Sequence, residues 1–221
     1  MPLVVHHLDN SRAQRVLWLL EELGVPYEVK HHKRIKLQAP PELKAIHPLG
    51  KSPIVEDRGH TLAETGAIVE YVLDTYANGR LRPPPGSDER LRFTYWLHYA
   101  EGSAMPPLLI HLMFALMPRR SPALLRPLVR RIAERSQAGY SRPQLKLHMD
   151  FWESELGRST WFTGEELTAA DIMMSYPVEA AAARAKAIEG RPRLAAFLER
   201  VHARPAYARA VERGGPVIPA R

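Results

Sequence analysis

The stretch that most constrains the fold runs from His47 to Ile68, HPLGKSPIVEDRGHTLAETGAI. Pro48 and Gly50 break the helical pattern before it, and Ser52-Pro53 leads into the short apolar run Ile54-Val55. Glu56-Asp57-Arg58-Gly59 is a polar turn, Thr61-Leu62-Ala63 reads as a second short strand, and Glu64-Thr65-Gly66 opens an amphipathic helix. A proline at the head of a strand removes one ladder donor, so its neighbour's backbone groups face an edge or a ligand. An X-Pro bond is also the one peptide bond whose cis form costs little, about 0.5–1 kcal/mol. The helix beginning near Thr65 directs unpaired N–H groups and its positive dipole end outward, which suits an anion. The stretch thus offers main-chain hydrogen bonds to an extended peptide, beside a pocket for its carboxylate. Taken as local structure alone, the same residues are a β-turn and a helix cap.

The residues around this stretch supply the rest of a small sheet. Leu3-Val4-Val5 with His6 and His7 reads as a strand, and Asp9-Asn10-Ser11 as a turn and N-cap cluster before a helix. In that helix Val16, Leu19, Leu20 and Leu23 recur at helical spacing, while Arg12, Gln14, Arg15 and Glu22 cover other faces. Gly24 closes it, and Tyr27 to His31 forms a second strand. Residues 32–41 read as a loop, Pro41 to Ile46 as a short helix, and a last helix carries Ile68, Val69, Tyr71, Val72 and Tyr76. The order is βαβαββα.

From Ala77 to Ser87 the composition shifts to Asn-Gly and Pro83-Pro84-Pro85-Gly86, a linker signature. Beyond it only helical patterns remain. One helix starts at Ser87-Asp88-Glu89-Arg90, with a bend expected at Pro106-Pro107; another runs from about Pro122 to Leu156, with a kink expected at Pro143. Thr168 and Asp171 form a capping-box-like pair, flanked by Leu167 and Ile172 at the positions of a hydrophobic staple. The expected division is residues 1–77, a linker over 78–87, and an all-helical unit over 88–221.

This layout resembles the cytosolic glutathione transferases, a family with a thioredoxin-like N-terminal domain followed by an all-α domain. The resemblance rests on Ser52-Pro53, Glu64-Thr65, the Thr168–Asp171 cap and the two proline-separated helices of the tail, and it covers nearly the whole chain. It implies that Ser52, before a cis Pro53, pairs through its backbone with the cysteinyl part of glutathione. Glu64 and Thr65 would hold the γ-glutamyl end. Lys51, or the basic loop over 30–36, would meet the glycyl carboxylate. Glu101 falls where the family often has an acidic residue reaching the partner subunit's glutathione, and equally reads as a plain surface carboxylate. The resemblance also implies a homodimer.

Composition narrows the chemistry. The 221 residues contain no cysteine, which removes disulfides, thiolate metal sites and any thiol nucleophile of the protein's own. Sulfur chemistry must come from the substrate, and cysteine-type members of the family are excluded. No apolar run in the sequence approaches the roughly 20 residues of a membrane span, and no secretory signal is visible, so a cytoplasmic location is expected. The net charge of +7 includes clusters at Lys30 to Arg34 and from Arg119 to Arg131, which read as solvated surfaces. No nucleic-acid motif accompanies them. Neither nucleic acid nor membrane is expected as a partner, and the histidines show no ligand spacing for a metal.

A free thiol with a pKa of roughly 8.5 is mostly protonated at neutral pH, and only the thiolate attacks. Lowering that pKa by two units takes about 2.7 kcal/mol, within reach of one or two hydroxyl or amide donors beside a helix N-terminus. The place for them is Asn10-Ser11-Arg12. Ser11 precedes Arg15 by four residues, the spacing of serine-type members, so Ser11 is the first candidate for catalysis; Asn10 and Arg12 are the alternatives, and Ser11 also reads as a simple N-cap. No tyrosine sits in the turn. Met105, Pro106, Leu109, Met113 and Phe114 are candidates to line a site for a small hydrophobic electrophile, or else are plain core. The expected activity is glutathione S-transfer, with glutathione as co-substrate, no resident cofactor, and reduction of organic hydroperoxides as a side reaction. The rival readings are a ligand carrier with little turnover and a protein-interaction module of the same fold.

Overall fold

The computed structural model describes residues 2–35, 38–185 and 188–215, and the backbone alone of Arg184. Its N-terminal part is β1 (Leu3–Leu8), α1 (Ala13–Leu23), β2 (Tyr27–His32), α2 (Pro41–Ile46), β3 (Ile54–Asp57), β4 (His60–Ala63) and α3 (Thr65–Tyr76). The strands form one sheet in the order β2-β1-β3-β4. β1 runs parallel to β2, as a helical crossover requires, and the other two pairs are antiparallel. The expected βαβαββα order and its thioredoxin-like sheet are present.

Helix α1 departs from the amphipathic pattern read in the sequence. Gln14 and Arg15 are as buried as Val16 and Leu20. The reason is tertiary: α1 packs on β1 and α3 with one side and on α8 (Ala169–Ala185) and α10 (Pro205–Gly214) with another, so it has no solvent face. Trp18 meets Tyr207 of α10 edge to face, and Arg204 of the tail pairs with Glu22. The left-handed Gly24 (φ 69°) ends the helix with its N–H on Glu21.

The connection over residues 77–87 is fastened at several points. Arg80 donates to the Glu22 carbonyl at 2.6 Å, Arg82 pairs with Asp74, and the Leu81 carbonyl accepts the Ala169 N–H at 2.9 Å. Helices α4 (Asp88–Tyr99), α5 (Met105–Arg120), α6 (Arg126–Ser136), α7 (Arg142–Glu155), α8 (Ala169–Ala185), α9 (Pro192–His202) and α10 (Pro205–Gly214) follow, with a 3₁₀ turn over Ala123–Leu125. The tail beyond Gly215 lies outside the described residues. Trp96, Tyr99, Phe151, Phe162 and Phe197 stack through the centre of this helical half.

Prolines mark both interruptions expected in the long helices, in a form the sequence did not specify. Five residues of π-helix, Ala100–Ala104, precede Pro106-Pro107, and five more, Gln137–Ser141, precede Pro143. A helical proline lacks an N–H and its ring crowds the carbonyl four residues back, and a one-residue bulge upstream relieves both defects. The second π turn is tied to α5: Gln137 donates to the His111 carbonyl, and His111 bonds Ser141.

Asp171 is fully buried, accepting the N–H of Phe162 at 2.8 Å and both the N–H and the hydroxyl of Thr168. Half of the expected capping box is there. The other half is inverted, because the Thr168 hydroxyl donates to the carboxylate instead of accepting the Asp171 N–H. Burial pushes the Asp171 carboxyl up to about 6 against the pull of these donors.

Candidate active site

The sheet register brings the predicted residues together. Antiparallel pairing of His6 with Ile54 sets Leu8 beside Ser52, and pairing of Ile54 with Ala63 sets Pro53 beside Glu64. The turn after β1, the start of β3 and the start of α3 therefore meet at one end of the sheet. The Ser52-Pro53 bond is cis and Pro53 is buried.

At the first of these points Asn10 takes a left-handed conformation, φ 53°, and is exposed. Arg34 steadies the turn by donating to the carbonyls of Asp9, at 2.9 Å, and Asn10, at 3.3 Å. The Asn10 side chain has no hydrogen-bond partner among the described residues. Ser11 is buried. Its Oγ accepts the Ala13 N–H at 3.3 Å and lies 3.1 Å from the Ser52 Oγ. Ser52 Oγ in turn accepts the Leu8 N–H and donates to the His6 carbonyl, each at 3.1 Å. Each hydroxyl has one proton. While Ser52 gives its own to His6, Ser11 must give its own to Ser52.

At α3, Glu64 has φ 69° and ψ 119°, outside the regions that residues with a Cβ favour, and its exposed side chain makes no hydrogen bond among the described residues. Strain of this kind costs on the order of 1–3 kcal/mol and collects at ligand clamps. Thr65 is buried at the first helical position. Lys51 is exposed beside them. Lys36, part of the basic loop expected near the glycyl carboxylate, lies outside the described residues.

Two of the expected ligand or donor residues are otherwise engaged. Glu101 sits in the first π turn and places one carboxylate oxygen on Arg12 and the other on Arg15. Arg15 is fully buried and also donates to the Met173 carbonyl at 2.9 Å, tying α1 to α8. Burial works to raise the Glu101 carboxyl, but the two guanidinium groups outweigh it and hold the carboxyl below its ordinary value. Burial lowers Arg15, and Glu101 opposes that. Both oxygens of Glu101 are thus engaged within its own chain, one by each guanidinium. Arg12, offered as an alternative donor, is bound to the same carboxylate.

The apolar candidates divide as well. Met105 is buried in the core, not presented to a cleft; Leu109 and Met113, four residues apart on α5, are exposed, and Phe114 is half-buried. Two depressions of about 340 and 390 Å³ lie elsewhere, around Arg193, the first between α9 and the segment after α7 and the second between α7 and the start of α9, and none of the predicted residues lines them. Sequence reasoning missed the Ser52 hydroxyl as the neighbour of Ser11 and the Glu101 bridge to Arg15. The pairing register carries the first; the second joins a residue of the π turn to α1 across 86 positions, a contact that spacing does not reveal.

Residues 3–74 match the family model for the glutathione S-transferase N-terminal domain, and residues 127–200 match a model for its C-terminal domain. Glutathione S-transferase 3 of Schizosaccharomyces pombe is 36% identical over 179 residues, 81% of this chain and 74% of that protein. Glutathione S-transferase 1 of Saccharomyces cerevisiae is 35% identical over 224 residues, 96% of each chain. The solved glutathione S-transferase of Actinobacillus pleuropneumoniae superposes with a TM-score of 0.79 at 30% identity, covering 96% of this chain and 92% of that one. With two family models matched and relatives aligned over nearly its whole length, the chain belongs to the glutathione S-transferase family.

Proposed function

We propose that this transferase binds glutathione across the end of the sheet, activates its thiol with Ser11, and adds the sulfur to a small hydrophobic electrophile. The observation that carries the reading is the meeting of Ser11, the cis Ser52-Pro53 bond and the strained Glu64 through the strand register. The backbone of Ser52 offers extended-peptide hydrogen bonds to the cysteinyl unit. Glu64 and Thr65 take the γ-glutamyl amine and carboxylate at the α3 N-terminus, where the helix dipole favours an anion. Lys51 is the cation for the glycyl carboxylate.

The serine pair has two hydrogen-bond registers. Without a ligand, Ser11 donates to Ser52 and Ser52 to His6. With a thiolate in place, Ser52 turns its proton to Ser11 and Ser11 donates to sulfur. Accepting from Ser52 polarises the Ser11 hydroxyl and strengthens the bond it gives. A free, exposed amide favours one second reading, in which Asn10 is the donor. Leu109 and Met113 would face the electrophile. Glu101, through Arg12 and Arg15, positions the catalytic turn and is not a ligand.

We also infer a homodimer working in the cytoplasm. Leu91 and Tyr95 on α4 are exposed and offer an apolar face to a second copy. The test is calorimetric titration with glutathione together with conjugation of a chromogenic aryl halide. Glu64→Ala should weaken glutathione binding at least tenfold. Binding without turnover on several aryl and enal electrophiles would identify a carrier instead, and absence of glutathione binding would remove the reading altogether.

A further inference from the structure

The arginines between α5 and α7 have no part in this chemistry. Between Met105 and Met149 the sequence has eight Lys and Arg against one acid, Glu134, a surplus of seven that equals the +7 of the whole chain. The rest of the molecule is balanced. Arg119, Arg120, Arg126, Arg130, Arg131 and Arg135 are all exposed, and none has an ion-pair partner among the described residues. Arginines elsewhere in the fold, such as Arg82, Arg204 and Arg209, are paired with carboxylates.

Large apolar side chains stand among these charges. Leu124 is 91% and Leu128 59% exposed, and Met117, Leu125 and Ile132 are exposed with them. On α6, Leu128 and Ile132 are four residues apart and share a face, with Arg131 and Arg135, also four apart, beside it. Contiguous exposed apolar surface on a folded domain marks an interaction site. This patch is distinct from the face offered to a second copy: Met117 lies 26 residues beyond Leu91, about 39 Å at 1.5 Å per helical residue.

We propose that the α5–α6 tip docks on an anionic lipid surface, with the leucines among the acyl chains and the arginines at the phosphates. Apolar residues ringed by unpaired arginines are the pattern of an in-plane membrane contact, in which neither component suffices alone. Nucleic acid would use the charges but leave the leucines in water. The contact is peripheral. The helical run Asp88–Arg120 is 33 residues long and its most apolar window has a mean hydropathy of 1.2, enough by length and composition to span. However, Glu101 within it is bonded to Arg12 and Arg15, so the run is anchored in the fold and only its end is free to meet lipid.

The test is flotation of the full chain with vesicles of phosphatidylcholine alone and with equal parts of phosphatidylglycerol. Wild type should float with the anionic vesicles and lose them as salt rises. Arg131→Glu with Arg135→Glu, and separately Leu124→Ser with Leu128→Ser, should each lower partition about tenfold while aryl halide conjugation stays unchanged. Failure of wild type to bind anionic vesicles at low salt overturns the proposal. So does vesicle binding by the leucine variant equal to wild type, which would leave a purely electrostatic surface open to duplex DNA. A change of oligomeric state in that variant, with partition intact, would assign the patch to a second copy.

Discussion

The hydroxyl oxygens of Ser11 and Ser52 lie 3.1 Å apart, although 41 residues separate them in the chain. The contact joins the turn proposed to present the thiol donor to the strand start proposed to bind the peptide through its backbone. Ser52→Ala should therefore act on both stability and chemistry. Removing its Oγ leaves the Leu8 N–H without an acceptor and costs about 1–3 kcal/mol in urea unfolding. The pH–rate profile should shift upward, by less than in Ser11→Ala, while glutathione KM changes little if, as proposed, the Ser52 backbone makes that contact.

Arg15 is buried with Glu101 as its counter-charge, so breaking this pair is costlier than its surface analogues. Glu101→Gln should lower unfolding free energy by about 3–5 kcal/mol, since a guanidinium is left buried without a carboxylate. Arg15→Lys should lose part of the same stability, because an ammonium cannot serve Glu101 and the Met173 carbonyl in the fork geometry. Both are read by chemical denaturation. A loss below about 1 kcal/mol in Glu101→Gln would show that water replaces the pair.

Glu64 sets the fold against its proposed role in binding. Its φ of 69° suits glycine better than glutamate. Glu64→Gly should raise unfolding free energy by about 1 kcal/mol, the strain relieved less the entropy that glycine adds to the unfolded chain. Glutathione affinity should fall at least tenfold in the same variant. Calorimetry and thermal unfolding on one preparation check both.

His7 and Asp171 give opposite pH dependences of stability. Burial lowers the His7 imidazole to about 4, with His31 adding to the effect and Asp9 opposing it. Its ring lies against Gly214. In the unfolded chain it takes a proton below its ordinary 6.5, so stability present above that value is lost as pH falls from 6.5 toward 4. Asp171 behaves in reverse: the folded protein keeps its proton up to about 6, the unfolded chain releases it near 3.8, and stability falls as pH rises between them. Each effect is on the order of 3 kcal/mol. Relative to His7→Leu, wild type should lose stability on acidification through this window; relative to Asp171→Asn, it should lose stability on going the other way. Parallel unfolding curves for wild type and His7→Leu across pH 4.5–7 would contradict the first.

The fold was legible where local chemistry decides it. Gly24, Ser52-Pro53, the Glu64-Thr65 helix start and the Thr168–Asp171 cap each mark a boundary that the structure has. What the sequence hid depends on tertiary contact. Polar residues such as Gln14 and Arg15 suggested a solvent face on α1, but α8 and α10 cover it. Pro106-Pro107 announced a break without revealing that it would be a π turn, from which Glu101 meets Arg12 and Arg15 of the first strand-to-helix unit. Ser52 was read for its backbone, and its hydroxyl became visible only through the register with Leu8.

The most direct measurement of the serine mechanism is ultraviolet difference absorbance of the thiolate of bound glutathione, titrated across pH for wild type, Ser11→Ala and Asn10→Ala. Activation by Ser11 predicts a bound thiol that titrates well below its free value of roughly 8.5 in wild type and in Asn10→Ala, and returns toward it in Ser11→Ala. Thiolate that persists in Ser11→Ala and vanishes in Asn10→Ala would contradict it and move the donor to the exposed amide.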